Sequence, residues 1–439
     1  MSSAANSRRR VAITGMGVVC PLGNSPSAMW EALSAGRSGV GALTTLPQLD
    51  DLVHYGGEAR DFTGAIGDFG ELDKALKKSI RKALKVMCRE TMMAVAVAQQ
   101  AVADAGFGEQ PMDAERSGVV FGSDYMLSPP GDFTDGMIKC GAQEKFEYPH
   151  WGQDGLREMN PLWMLKYLPN MPGSHIAIMN DLRGPNNSLT LREISGMMAI
   201  REAAQTIERG HADCMIAGAT GTRIHSFKTI HAVQTEQLAD PSLDPAEASR
   251  PFDANRTGMV VGEGSGAIVL EELETARARG ATIYGEVIGT GSSVVASAAV
   301  DRPHRVALAN AARSAVTESK LDADQIGHIN AHGLATTEGD TQEAQALGDV
   351  LGSGLEKIPV VAQKSYMGNL GAGSSVVEVV GSLLAMQGGE LYKTLNFETA
   401  DSNAPLAVSS TSQLRAGESF LKLSVTPQAQ AAALVISRV

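Results

Sequence analysis

Ser249–Ala281 reads SRPFDANRTGMVVGEGSGAIVLEELETARARGA. Its middle, Gly266–Leu270, is a short apolar run with β-branched residues and reads as a strand. The glycines beside it suit tight turns and close backbone approach at a strand end, as do many of the chain's 47 glycines. A polar loop, SLDPAEASR at Ser242–Arg250, comes just before, so a new compact unit is expected to begin near Arg250. Similar short runs recur at Val11–Thr14, Gly118–Phe121, Cys214–Ala217, Ile326–Asn330, Val360–Ala362 and Ala433–Ser437. Longer helical patterns separate them, which is the signature of an α/β architecture. Pro26–Ser34 is an expected helix, with Ser25 as N-cap, Pro26 in the first turn and Gly36 as its stop. Lys85–Ala105 is another: Ala94, Val97, Ala98, Ala101, Val102 and Ala105 share one face, and Gly106 follows.

Bulk composition narrows the function classes. The chain has 439 residues, 43% hydrophobic and 20% charged, which is ordinary globular composition with room for a double domain. A net charge of -12 disfavours non-specific binding to nucleic acid or to acidic lipid surfaces, though it leaves room for a local basic patch facing an acidic carrier protein. No stretch approaches the ~20 apolar residues of a membrane span. Cys20, Cys88, Cys140 and Cys214 are scattered without a CxxC or paired histidines, so reduced buried thiols are expected, and neither a metal site nor a disulfide framework. Arg8-Arg9-Arg10 leads into an apolar run that Gly15 and Gly17 break at once, and reads as a solvated arm rather than a secretion signal. A cytoplasmic protein is expected. The stretch 126–172 is rich in aromatics, proline and methionine, and reads as an excursion that caps a pocket or forms dimer contacts. A loop packed by its own aromatics is the alternative.

Four ordered segments carry a family resemblance. RVAITGMGVVCPLGNS (Arg10–Ser25), the opening Ser249–Ala281 segment, HINAHGLATTEGDTQEAQAL (His328–Leu347) and KSYMGNLGAG (Lys364–Gly373) resemble the β-ketoacyl-acyl-carrier-protein synthases, most closely the type II condensing enzymes. The likeness implies a thiolase-like five-layered α-β-α-β-α double domain, with pseudo-twofold halves and mixed five-stranded sheets. It places the halves at 1–250 and 251–439, with 126–172 as an inserted cap or dimer region. It also implies a dimer, acyl-carrier protein or acyl thioesters as partners, and no cofactor. Condensation in this family needs a thiolate nucleophile, two histidines that stabilise the enolate of a malonyl thioester, and backbone amides that form an oxyanion hole.

Three positions depart from that pattern. The family's GPxxxxxTAC-x-SG motif aligns with Gly184–Gly196, where Gly184, Pro185, Ser195 and Gly196 fix the register and Glu193 falls on the nucleophile position. His332 matches the first histidine, while Asn369 stands at the second-histidine position. Lys364 matches the supporting lysine, and Asp340 and Glu343 match the acidic positions after the first histidine. The family's C-terminal glycine-rich gate aligns with Thr426-Pro427-Gln428-Ala429-Gln430-Ala431, and Pro427 has no N–H to offer an oxyanion.

An ionised Glu193 at a helix N-terminus would repel malonyl and enolate charge. It needs a partner if buried, and His332, Lys364 and the free amides at the helix start are the expected ones, with Met197 or Met198 nearby. A Glu193–His332 pair would raise the histidine pKa. Three functions fit. The first is a non-condensing, chain-length-factor-like subunit that pairs with a cysteine-bearing synthase. The second is an enzyme of altered mechanism, a malonyl-thioester decarboxylase or a Glu193 acid/base catalyst. The third is a binding protein for acyl chains or acyl-carrier protein.

Overall fold

Ala267 and Val269 turn to one face of their strand and Ile268 and Leu270 to the other, and all four are fully buried. Side chains alternate along a strand, so an unbroken apolar run signals a strand covered on both faces. The layering of the molecule follows from this. A computed structural model of the protein describes residues 8–46, 49–108, 111–296, 303–411 and 414–439.

In chain order the described strands are β1 (Val11–Val19), β2 (Gly41–Ala42), β3 (Tyr55–Gly56), β4 (Ser117–Ser123), β5 (Asn186–Thr190) and β6 (Cys214–Thr222). They continue with β7 (Glu263–Glu272), β8 (Gly285–Val294), β9 (His328–Asn330), β10 (Val360–Val361), β11 (Ser419–Val425) and β12 (Gln430–Ser437). β2 and β3 form a small ribbon, and the other strands run in the order β10-β9-β11-β12-β8-β1-β7-β6-β4-β5. The order divides into two like groups of five. In one, β5, β4 and β6 are parallel neighbours, and β6, β7 and β1 are antiparallel ones. In the other, β10, β9 and β11 are parallel, and β11, β12 and β8 are antiparallel. Only two residue pairs, Ala12 with Glu286 and Ile13 with Gly285, join the groups.

Three hydrophobic clusters separate the layers. Val95, Val97 and Ala101 of the helix Arg89–Asp104 pack on Val19, Ile216 and Val269, the outer face of the first group. Leu308 and Ala312 of the helix Pro303–Ser319 pack with Leu421, Ala433 and Val435 on the outer face of the second. Between the groups lie the helices Ser195–Glu208 and Ser374–Gly388, whose Ile200 and Val380 share one core with Ile268 and with Leu434. The result is α-β-α-β-α, as the resemblance implied. β7 pairs inside the first group, and the chain crosses to the second between β7 and β8.

The helix Pro26–Ser34 forms as expected, with Ser25 Oγ accepting from Ala28 N at 3.1 Å. The expected helix Lys85–Ala105 begins later, at Arg89, after a short 3-10 turn at Leu84–Val86. β5, β8 and β11 escape the sequence reading: β5 is a polar edge strand, β8 mixes glycine and serine, and β11 carries Lys422 inside SFLKLSV. Arg9 pairs with Asp213 at 2.6 Å and Arg10 Nε donates to Glu286 at 2.7 Å, which pins the entry to β1. In the excursion 126–172, Phe133 packs against Trp151 and Trp163 with centroids 6.5 and 5.7 Å apart, yet Tyr148, Leu162 and Met164 remain exposed. All four cysteines are free and buried. Among the described residues no helix is long and apolar enough to cross a membrane.

Close contact between β1 and the helix Arg89–Asp104 depends on Gly17, where an added Cβ would lie 2.0 Å from Val97 O. Backbone cannot yield as a side-chain tip can. Gly17→Ala is expected to lower stability by about 3 kcal/mol, read as a reduced denaturant midpoint at unchanged slope.

Candidate functional site

The central helix Ser195–Glu208 opens from a strained turn. Leu191 N donates to Ser195 Oγ at 2.8 Å, and Ser195 Oγ in turn donates to Ser123 O at 2.9 Å, so the turn is tied to the end of β4. Arg192 sits at φ 52°, a left-handed conformation that costs a non-glycine residue about 1–2 kcal/mol. The turn aims Glu193 inward, where it is 1% exposed at the start of the central helix.

The partners of Glu193 differ from those expected. Neither His332 nor Lys364 reaches its carboxylate. Oε1 instead receives a close hydrogen bond from Arg223 Nη2 and a longer one, 3.3 Å, from Asn369 Nδ2. Arg192 Nε lies 3.6 Å from Oε2, which has no hydrogen-bond partner among the described residues. Arg223, with a fully buried side chain at the end of β6, also donates to Glu236 at 2.8 Å, and Arg192 Nη2 donates to the same Glu236 oxygen at 2.8 Å. Two guanidinium groups thus face two carboxylates. Asp124, 1% exposed at the end of β4, adds a third acid; burial raises its pKa against the pull of Arg223 and Lys228. Burial also pushes the Glu193 carboxyl up, but Arg223 and Arg192 outweigh it and hold the group below its usual range. Glu193 is therefore an anion in a paired site.

His332 belongs to a second set of buried charges. Lys364 Nζ donates to Glu378 Oε1 at 2.7 Å, to His332 O at 2.8 Å and to His332 Nδ1 at 3.4 Å. These three acceptors use the three ammonium protons, so Nδ1 accepts and the imidazole proton sits on Nε2. Burial first, then the charges of Lys364 and Lys422, hold the His332 pKa well below its ordinary value. The shift expected from a Glu193–His332 pair is reversed, because the anion turns to Arg223 and the nearest ion is a lysine. Ser424 Oγ links the two residues: it donates to Glu193 O at 3.1 Å and lies 3.4 Å from His332 Nδ1.

The supporting acids act on backbone. Glu343 accepts from His332 N at 2.6 Å and Gly333 N at 2.9 Å. Asp340 accepts from Phe252 N at 2.8 Å and Leu334 N at 3.0 Å, and burial raises its pKa to about 7. The expected pairing of Lys364 with Glu193 does not form; Lys364 pairs instead with Glu378, which is shared with Lys422, 2.5 Å away. Asn369 is held by Gly371 N and Ser374 Oγ, which donate to its Oδ1 at 3.1 and 3.2 Å.

Glu193, His332, Thr426 and Pro427 come together on the wall of one cavity of about 290 Å³, with Glu236 and His304. Thr426 is buried and closes the turn from β11 to β12 by donating to Gln430 O at 2.9 Å, while Pro427 is exposed at the rim. Met197, expected at the pocket, is instead fully buried in the core between the sheet groups and does not line the cavity. No cysteine lines it either.

The sequence reading missed Arg223, Arg192, Glu236, Glu378 and Lys422. A signal existed for three of them: a charge embedded in an apolar stretch, as in GATGTRI, SSVVEVVGSLL and SFLKLSV. Such a charge is buried with a partner or not at all. Glu193→Ala leaves buried Arg223 short of an anion, and a stability loss of about 3–5 kcal/mol is expected in urea unfolding. Glu193→Gln keeps shape and one acceptor, and its expected loss is smaller.

Known proteins match this architecture along its length. Residues 8–276 match the β-ketoacyl synthase N-terminal domain and residues 284–398 the C-terminal domain. The 3-oxoacyl-[acyl-carrier-protein] synthase 2 of Synechocystis sp. is 32% identical over 400 residues, covering 91% of this chain and 90% of its own. Among solved structures, a β-ketoacyl synthase from Burkholderia phymatum superposes with a TM-score of 0.84 at 28% identity, covering 98% of this chain and all of its own. The ishigamide ketosynthase/chain length factor superposes with a TM-score of 0.83 at 25% identity, covering 99% of this chain and all of its own. The chain belongs to the β-ketoacyl synthase family.

Proposed function

We infer that this chain is a non-condensing member of its family, a carrier-binding subunit that works beside a cysteine-bearing synthase. One observation carries the reading. At the position aligned with the family's nucleophile stands a carboxylate locked to a buried arginine, and no thiol lines the cavity. The carboxylate is anionic, held by Arg223 and Asn369, and cannot accept an acyl group as a thioester. Asn369 and Pro427 add two further departures, so chemistry that relies on these groups as a unit is lost together. The ishigamide neighbour, a ketosynthase/chain length factor, supports a role in shaping or measuring a partner's acyl chain.

Carrier binding has its own support. The helix Lys74–Ala83 and the turn after it carry Lys74, Lys77, Lys78, Arg81, Lys82 and Lys85 in a molecule of net charge -12. All but half-buried Lys77 are exposed, and none forms an ion pair among the described residues. Such a patch suits an acidic carrier. The exposed Tyr148, Leu162 and Met164, together with the polar edge strand β5, offer a surface for a second subunit of the same fold. Four unpaired buried thiols support a cytoplasmic setting. The second reading, decarboxylation of a malonyl thioester, draws support from the retained neutral His332 and its Lys364 support. It requires carbon dioxide release from malonyl-carrier by the pure chain.

The direct test incubates the pure chain with acyl-carrier thioesters, then measures intact mass and ketoacyl product. No acyl adduct and no product are expected, and Glu193→Cys alone is expected to restore neither. An adduct on Glu193, or ketoacyl product from wild type, contradicts the reading. For the carrier surface, combined Lys77→Glu, Lys78→Glu and Arg81→Glu is expected to weaken carrier binding about tenfold or more, in a salt-dependent manner.

A further inference from the structure

Two buried polar atoms of the charge set come together at one glycine. Arg223 donates from Nη2 to Glu193 and from Nη1 to Glu236, yet its Nε–H is buried with no hydrogen-bond partner among the described residues. Asp124 accepts from Tyr125 N at 2.8 Å on Oδ1, while its Oδ2 is likewise buried and unpartnered among them. Both side chains are withdrawn from water, and no direct ion pair joins them among the described residues. Gly371 locates the two atoms relative to each other. A Cβ built on it would lie 3.5 Å from Asp124 Oδ2 and 3.6 Å from Arg223 Nε, with Arg223 Cγ the next atom at 3.9 Å. These are ordinary contact distances for a carbon. Glycine therefore leaves a notch about one heavy atom wide, bordered by an acceptor and a donor that nothing else satisfies.

We propose that this notch is a binding site for a single structural water, which donates to Asp124 Oδ2 and accepts from Arg223 Nε. The chemistry selects the occupant. A halide would accept from the guanidinium but set its charge against the carboxylate, and an ammonium or metal cation would do the reverse. Water does both within one heavy atom, and buried water is the usual partner of sealed polar groups that cannot reach each other. The backbone leaves it free to do so, because Gly371 N is already committed to Asn369 Oδ1 at 3.1 Å. Each of the three Arg223 nitrogens then has an acceptor: Glu236, Glu193 and the water. The bridge joins the residue after β4, the residue after β6 and the short turn Gly371–Gly373, and so ties together the elements that hold Glu193 through Arg223 and Asn369. A glycine is required at position 371 twice over, for its φ of 61° and for the room that a side chain would fill. The site does not depend on carrier binding or on any reaction.

The test is a high-resolution crystal structure of the wild-type chain, grown once in chloride and once in bromide. A fully occupied water is expected in the notch, about 2.7–3.2 Å from both Asp124 Oδ2 and Arg223 Nε and without anomalous signal in bromide. A direct Asp124–Arg223 contact overturns the proposal, as does a notch without density or a peak that reaches only one of the two atoms. An anomalous peak there assigns the notch to an anion and overturns it too. A solution measurement adds a second check. Gly371→Ala puts a methyl where the water sits and forces alanine into a left-handed backbone. Gly389→Ala, at φ 80° with open space around its Cβ, carries the backbone strain alone. The drop in urea midpoint is expected to be about twofold or more larger for Gly371→Ala than for Gly389→Ala, and equal drops overturn the proposal. The crystallographic test needs no variant and stands even if Gly371→Ala does not fold.

Discussion

Arg223 has a side chain fully withdrawn from water, and the site is organised around that fact. Burying a guanidinium costs several kcal/mol unless carboxylates and well-formed hydrogen bonds surround it. Glu193 and Glu236 meet that demand from two directions, one at the opening of the central helix and one just beyond the helix Ser226–Thr235. The strained turn at Arg192, the end of β6 and the residue after that helix are thereby fixed relative to one another. Arg192 contributes its own guanidinium to Glu236, which offsets part of the strain that its backbone carries. The arrangement is self-consistent: each charge is tolerable only because the others are present.

A second buried charge set surrounds His332 and has a different effect. Lys364 and Lys422 share Glu378, while Glu343 and Asp340 accept backbone amides around His332. Burial first, then the charges of Lys364 and Lys422, keep His332 neutral, and the Lys364 contact to Nδ1 fixes its tautomer. The family resemblance therefore persists most faithfully in the machinery that positions the histidine. On the alignment proposed above, it is broken at Glu193, where the acyl-carrying residue would stand.

Much of the fold was legible because its elements are written locally. The apolar run Gly266–Leu270 announced a strand, and Ser25, Pro26 and Gly36 bounded a helix by capping chemistry alone. Glu193 at a helix start followed from register, since Gly184, Pro185, Ser195 and Gly196 leave no freedom at position 193. The partner of Glu193 was not legible in the same way. Arg223 is 30 residues distant, and only the parallel pairing of β4 with β6 carries it to the turn before the central helix. Lys422 and Glu378 were hidden for a related reason: a lone charge in an apolar strand or helix marks burial without naming its partner. Met197 was misplaced by one helical face, because its neighbour relation to Glu193 in sequence does not determine which layer it enters.

The claim on which the account turns is that Glu193 and Arg223 stabilise the protein as a pair. A double-mutant cycle with Glu193→Gln, Arg223→Met and the combined variant, read by urea unfolding at neutral pH, measures that coupling directly. A coupling energy of about 2 kcal/mol or more is expected, with the double variant less damaged than the sum of the singles. Additivity within about 0.5 kcal/mol would contradict the account, because it would mean that the carboxylate and the guanidinium do not depend on each other.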